Sequence, residues 1–446
     1  MIIFYLFIWL FSFFCLGSLI LRIVLPEEKE NIKNALSIPL GGGVFSLFVW
    51  LFLFLFPGRE CIPIFVVSLF SILSWISVNL IPRAKKPHVI FRPVCFILGT
   101  SVLLSVLQAL PFPVYRHDAM VIWAFKSKVF FYEGARALFH PWRVAAHLRY
   151  PWLVPLQQFA FYRLAGCVDD RSVMILFPFY WFSLLYLLWA IMKEENRLLL
   201  LAFFAFLPVY FNSEARISSG YMALPLSLYF LSTLYMTVKF DETGKSRYLF
   251  LASLFSFFCL FTKDEGILLP FFIISYFIMK RRKKHLCLFL LPFCLPSLVW
   301  FLIRIRIPGR MDAHYLLYLI YLPGNLYRIL RILWEGIKEM LNPVRWSLFF
   351  PIVFSLMFLT RHRLLNSFMK IPVLFSIFYL CFSFFIFLIP PWAHYSEQMR
   401  VTFYRFLMHI APSLLWITSY SFHYLGKSPQ ERGDPQPFSM GHGRET

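Results

Sequence analysis

IIFYLFIWLFSFFCLGSLILRIV, residues 2 to 24, holds one charge, Arg22, in an otherwise uncharged and largely apolar run. A helix of this length crosses a hydrocarbon core of about 30 Å, and the run lacks the alternation of a barrel strand. It has neither a basic leader nor a small-residue cleavage site, so it predicts a retained span rather than a removed signal. Twelve further apolar runs follow, at about 39–57, 62–81, 93–111, 172–192, 198–212, 219–238, 248–262, 266–279, 286–303, 346–360, 371–390 and 405–425. The predicted fold is all-α: a polytopic integral membrane protein with about 13 transmembrane helices.

The composition agrees. The chain is 60% hydrophobic and 15% charged, against roughly 45–50% and 25% in soluble domains, which excludes a soluble globular class. The net charge of +21 does not signal nucleic acid, because the cations are grouped by loop. Arg83, Lys85, Lys86 and Arg92 share one loop, Lys239, Lys245 and Arg247 another, Lys280 to Lys284 a third, and Arg361, Arg363 and Lys370 a fourth. The short loops between them carry about one cation each. This positive-inside pattern predicts that the basic loops are cytoplasmic and that the segments near 112–171, 213–218, 262–266, 304–345 and 391–404 face outward. The predicted location is a plasma or inner membrane, with the functional side on the exterior or periplasmic face. The eight cysteines form no CxxC pair; only Cys61 and Cys167 lie near the outer edge, where a bridge between them is conceivable.

The long loops are both outer ones. Ala119 to Phe139 and Asn325 to Leu341 carry apolar residues at helical spacing interrupted by charges, which predicts amphipathic helices resting on the membrane surface. Three units follow: an N-terminal transmembrane addition at 1–90, a membrane domain at 91–425, and a polar Pro- and Gly-containing tail at 426–446 expected to be disordered and cytoplasmic.

Within this apolar chain, four outward motifs hold groups able to do chemistry. In VYRHDAMVIWAFKSK (114–128), Asp118 stands before a helical pattern, preceded by His117. It reads either as a helix N-cap or as a general base at the water-lipid boundary. In HLRYPWLVP (147–155) the prolines mark a turn, and His147 and Arg149 are candidate phosphate contacts. TKDEG (262–266) sets three charges between short apolar runs; it is a solvated turn, or Lys263 is a phosphate ligand supported by Glu265. In RVTFYRFLMHIAP (400–412), Arg405 and His409 are one turn apart and share a face, while Arg400 reads as a snorkelling arginine.

The ordered set DAMVIWAFKSKVFFYEG, HLRYPWLVPLQQFAFYRLAG, SSGYMALPLSLYF, LFTKDEG and YRFLMHIAP resembles polytopic membrane glycosyltransferases of the GT-C superfamily, over about residues 90 to 415. These are relatives of protein mannosyltransferases and lipid A aminoarabinose transferases. The resemblance implies a polyprenyl-phosphate-linked sugar donor, a glycan, lipid or protein acceptor, and an inverting transfer within the membrane. It implies Asp118 as the catalytic base, with Lys263, Arg405 and Arg149 on the donor phosphate and His117, Tyr150, Glu265 and His409 in support. The chain departs from the family where Arg149 and Ala223 replace acidic residues. Divalent metal assistance is thereby left open, with Glu214, Asp264 or Glu265 as substitute oxygen ligands. The rival readings are a transporter or flippase of polyprenyl-linked glycans, and an inactive relative that only binds lipid carrier.

Overall fold

A computed structural model describes residues 1–80, 93–134, 136, 139, 147–307, 319–390 and 394–426. These residues are helical wherever they form regular structure, with no strand among them. Each of the thirteen apolar runs lies largely in helix. Among the described residues, six segments are long and apolar enough to cross a membrane: Ile2–Val24, Glu30–Leu55, Cys61–Asn79, Ser172–Ile191, Lys283–Arg304 and the interrupted stretch Arg197–Ser219. The remaining runs give shorter or more polar helices. Leu268–Met279 and Phe349–Leu359 have 12 and 11 residues, which rise only about 16 to 18 Å. Ala223–Thr243 and Tyr395–Gly426 have the length but carry polar side chains. The run at 198–212 breaks before Pro208 into Arg197–Ala205 and Pro208–Asn212, as expected where proline disfavours helix in the residue before it. The basic loop holding Arg83, Lys85, Lys86 and Arg92 lies outside the described residues, as does the tail from 427 onward.

The first two helices cross backbone to backbone. A Cβ on Gly17 would lie 1.9 Å from the Ser37 carbonyl oxygen, and one on Gly41 would lie 1.7 Å from that of Phe13. Small residues allow such an approach, and dispersion across it holds helices together where lipid removes the hydrophobic drive. The hairpin is built into the rest of the protein. The Ser46 hydroxyl donates to the Leu153 carbonyl at 3.1 Å, the Gln157 amide to the Gly42 carbonyl at 2.9 Å, and the Tyr180 hydroxyl to the Gln157 side-chain oxygen at 2.7 Å. The N-terminal segment therefore shares one core with helices Leu153–Ala165 and Leu176–Ile191.

The two expected surface helices differ from one another. The first begins as a π-helical turn, Ala119–Ala124, and continues as Phe125–Glu133. It is tucked in rather than laid on the surface: Lys126 and Ser127 are fully buried, the Ser127 hydroxyl donates to Gln158 at 2.7 Å, and Phe130 packs edge-on against Trp152 and Phe159. Most of its expected continuation beyond Gly134 lies outside the described residues. The second, Ile329–Met340, keeps its amphipathic character. Leu330, Leu333, Trp334 and Ile337 are exposed, whereas Glu335 is buried and paired with Arg331, Lys338 and Arg400. An apolar outer face of this kind suits a membrane interface. Cys61 and Cys167 are both free.

Helix Ala223–Thr243 links the cavity to the basic loops. Its 21 residues rise about 30 Å, the thickness of a hydrocarbon core. At one end, Asp241 pairs with Arg282 at 2.9 Å and Lys370 at 3.3 Å, from two of the basic loops. Lys245 and Arg247, just beyond, both pair with Glu27. At the other end, Ala223 faces the pocket described below.

The glycine crossing makes a clear prediction. Gly41→Val should lower the thermal midpoint and the folded yield in detergent, by an overpacking cost of about 1–3 kcal/mol or more. Gly99→Ala, inside helix Pro93–Ala109 with nothing within 4 Å of the added carbon, should lower neither.

Candidate functional site

Three of the residues singled out in sequence, Asp118, Lys263 and Arg405, line one cavity of about 370 Å³. They come from the turn before Ala119–Ala124, the end of helix Ser246–Thr262 and the first half of helix Tyr395–Gly426. The Arg405 guanidinium donates to an Asp118 carboxylate oxygen at 2.7 Å, across 287 residues of chain. Its second terminal nitrogen is 3.6 Å from Glu214, and its plane lies 4.5 Å over the ring of Tyr221. Asp118 makes no side-chain cap to the helix that follows, so of the two readings of this residue the cap is not realised. Its carboxylate turns into the cavity.

The turn beneath it is fixed by Gly220, which has φ +80°. A Cβ there would meet that of Ala119 at 3.0 Å, so only glycine combines this left-handed backbone with so close an approach. The turn carries Tyr221, Met222 and Ala223 to the cavity wall.

Lys263 and Glu265 form an ion pair at 2.8 Å. Between them Asp264 turns away and takes Arg304 in a two-pronged bond, at 2.9 and 2.8 Å. Burial raises the Asp264 carboxyl above the usual range, and the Arg304 guanidinium and the Lys126 ammonium oppose that rise. Opposite these charges stands an aromatic shelf. Tyr150 lies 5.5 Å from Trp123 and stacks with His147 at 4.6 Å. His147 holds a φ of 59°, a conformation costing about 1 kcal/mol or more for a residue with a Cβ, and such strain concentrates at functional sites. Under the shelf the Lys126 ammonium donates to the Ile122 carbonyl at 2.8 Å and sits 5.1 Å from the Trp123 ring.

The other candidate residues divide between the cavity and its surroundings. Arg149 does not line the cavity, and its Nε donates to the Ile307 carbonyl at 2.8 Å. His117 is exposed and does not line the cavity. His409 is fully buried one turn beyond Arg405, with Nδ1 2.6 Å from the Tyr379 hydroxyl and Phe406 and Phe230 packed on its ring; it supports the core, not the cavity. Tyr150 and Glu265 do line it. Sequence reasoning passed over Tyr221 and Lys126 and had no role for Arg304. Among the described residues no cluster of three or more His, Cys, Asp or Glu side chains is placed to hold a metal. Glu214, Asp264 and Glu265 are each engaged by an arginine or lysine.

The chemistry of this arrangement follows from its pairing. Both cations of the cavity wall are already paired, Arg405 with Asp118 and Lys263 with Glu265, and the wall's Asp264 is held by Arg304 from outside it. An anion entering it therefore exchanges partners rather than filling a bare positive site, and each exchange releases a carboxylate. When the guanidinium of Arg405 is drawn to an anion, Asp118 becomes free to accept a proton. Comparison with known protein families, with curated proteins and with solved structures returns no match.

The pairing has a measurable signature. Arg405→Ala strands the half-buried Asp118 carboxylate and should destabilise the protein by about 1–3 kcal/mol. The double variant Asp118→Asn with Arg405→Ala should recover part of that loss in thermal unfolding, whereas independent residues would give additive losses.

Proposed function

We propose that the protein is a membrane glycosyltransferase of the GT-C type, moving a sugar from a polyprenyl-phosphate-linked donor to a glycan, lipid or protein acceptor at the outer face of the membrane. The observation that supports it most is the convergence of one carboxylate and two cations, Asp118, Lys263 and Arg405, from three distant segments in a single cavity at one end of the bundle. Charges are costly near hydrocarbon, and their gathering around a cavity speaks for a polar ligand presented from the bilayer.

In this reading the donor phosphate draws Arg405 and Lys263 away from Asp118 and Glu265. The acceptor hydroxyl comes to lie against Asp118, which takes its proton as the acceptor oxygen attacks the anomeric carbon. A new carbon–oxygen bond forms there while the bond to the phosphate oxygen breaks, and its electron pair leaves on the lipid phosphate. The two cations hold the charge that develops on that phosphate, a preorganised electrostatic role. Attack from the face opposite the leaving group inverts the anomeric centre. The shelf of Trp123, Tyr150 and His147 offers aromatic surface for the C–H face of the sugar. Phosphate is a competent leaving group, so no acid opposite Asp118 is required, in keeping with Arg149 and Ala223 standing where the resembling family carries acids.

Incubating the purified protein with polyprenyl-phosphate sugars and an envelope-derived acceptor extract tests the reading. Asp118→Asn should reduce transfer by at least about 100-fold, the scale of general-base removal. Lys263→Ala should chiefly weaken donor use. Unchanged transfer by Asp118→Asn would remove the base from its role. Movement of intact lipid-linked sugar across liposomes, without transfer, would favour the transporter reading instead.

A further inference from the structure

At the end of helix Ala223–Thr243 opposite the cavity, the turn between helices Leu268–Met279 and Lys283–Arg304 opens a run of consecutive cations, Lys280 to Lys284. Arg282 shares the Asp241 carboxylate with Lys370, at 2.9 and 3.3 Å. Lys280, Arg281, Lys283 and Lys284 are exposed and make no ion pair among the described residues. Asp241 is thus already doubly paired, and four positive charges stand beside it unbalanced. The chain accepts two local costs to keep them there. Arg281 holds a φ of 53°, in a turn closed by bonds from the Arg281 N–H to the Ile278 carbonyl and from the Arg282 N–H to the Phe277 carbonyl, both at 3.0 Å. Such a closure suits glycine, which adopts a left-handed backbone without strain. Lys283 and Lys284 occupy the first turn of their helix, the end at which the helix dipole disfavours cations. A glycine and a neutral first turn would form the same fold at less cost, so what these positions provide is the charge itself.

The neighbours decide which anion fits. Ile278 and Met279, immediately before the cations, are 59% and 74% exposed, and helix Lys283–Arg304 buries only Phe289, Phe293 and Trp300. Bare cations and bare apolar side chains therefore adjoin where a long apolar helix begins, which is the level of a bilayer's headgroups. An acidic protein or a nucleic acid would cover the charges and leave the apolar rim bare, whereas a phospholipid covers both. We infer that this turn binds an anionic phospholipid of the adjoining leaflet, with its phosphates on Lys280, Arg281, Lys283 and Lys284 and its acyl chains against Ile278 and Met279. Four charges within five positions favour a headgroup with two phosphates over a headgroup with one. The site lies at the other end of the bundle from the charged cavity, and it stands or falls independently of the function proposed for that cavity.

The full-length protein in a neutral detergent, titrated with cardiolipin, phosphatidylglycerol, phosphatidylcholine, inorganic pyrophosphate and poly-glutamate, tests this, with bound ligand read by native mass spectrometry. Both anionic lipids should bind at least about tenfold more tightly than phosphatidylcholine, and cardiolipin more tightly than phosphatidylglycerol. Each cation removed should weaken anionic-lipid binding by about fivefold, the scale of one lysine or arginine at an anionic surface. Arg281→Gly should do so without lowering the thermal midpoint, because glycine suits the left-handed turn; loss of binding is thereby separated from loss of fold. The triple variant Arg281→Gly, Lys283→Gln, Lys284→Gln keeps the Arg282–Asp241 pair and every other basic loop. Undiminished cardiolipin binding by that variant would overturn the assignment to this turn. Equal binding of phosphatidylglycerol and phosphatidylcholine by the wild type would overturn the role of charge. Pyrophosphate or poly-glutamate bound as tightly as cardiolipin would show that acyl chains take no part, and the lipid assignment would fall.

Discussion

The bond between Arg405 and Asp118 organises the functional end of the molecule. It ties the last long helix to the turn before Ala119, and both partners sit at the edge of a chain whose interior offers almost nothing to solvate a charge. Each charge is tolerable only because the other is present. The neighbouring charges obey the same constraint, Lys263 with Glu265 in the cavity wall and Asp264 with Arg304 behind it. Under the proposed function such a site would be quiet when empty, and a ligand that competes for the cations would couple binding to the release of a carboxylate.

The helices were legible in the sequence because hydropathy alone specifies them. A run such as 172–192 has no other stable form in an apolar chain, and it is found as helix with a short 3₁₀ start. The number of crossings was less legible, since an apolar run records that a segment is buried but not whether protein or lipid buries it. Leu268–Met279 illustrates this: it is as apolar as the first helix yet too short to cross.

The site was legible in part, and for a related reason. Asp118, Lys263 and Arg405 stood out as charges beside apolar runs, and such charges need partners. The identity of the partners was hidden. Arg149 sat in an equally suggestive motif, but its partner is the Ile307 carbonyl, 158 residues away, and no local pattern encodes that. Arg304 ends an apolar helix and resembles an ordinary snorkelling residue until Asp264 is seen across from it. Lys126 belongs to a segment whose pattern predicts a helix resting on the membrane surface, whereas packing against Leu153–Ala165 leaves it with no exposure.

The close crossing of the first two helices bears on how the chain is made. Residues 2–55 contain both halves of that contact, with Leu25 to Lys29 as the only connection between them. This pair can assemble during synthesis while later segments are still within the ribosome, since a local contact carries little loop-closure penalty. What it then presents to the emerging chain is a finished wall. The Gly42 carbonyl and the Ser46 hydroxyl wait there for Gln157 and Leu153, and the helix that bears those residues packs in turn against Ala119–Ala124 and Phe125–Glu133 beside the cavity.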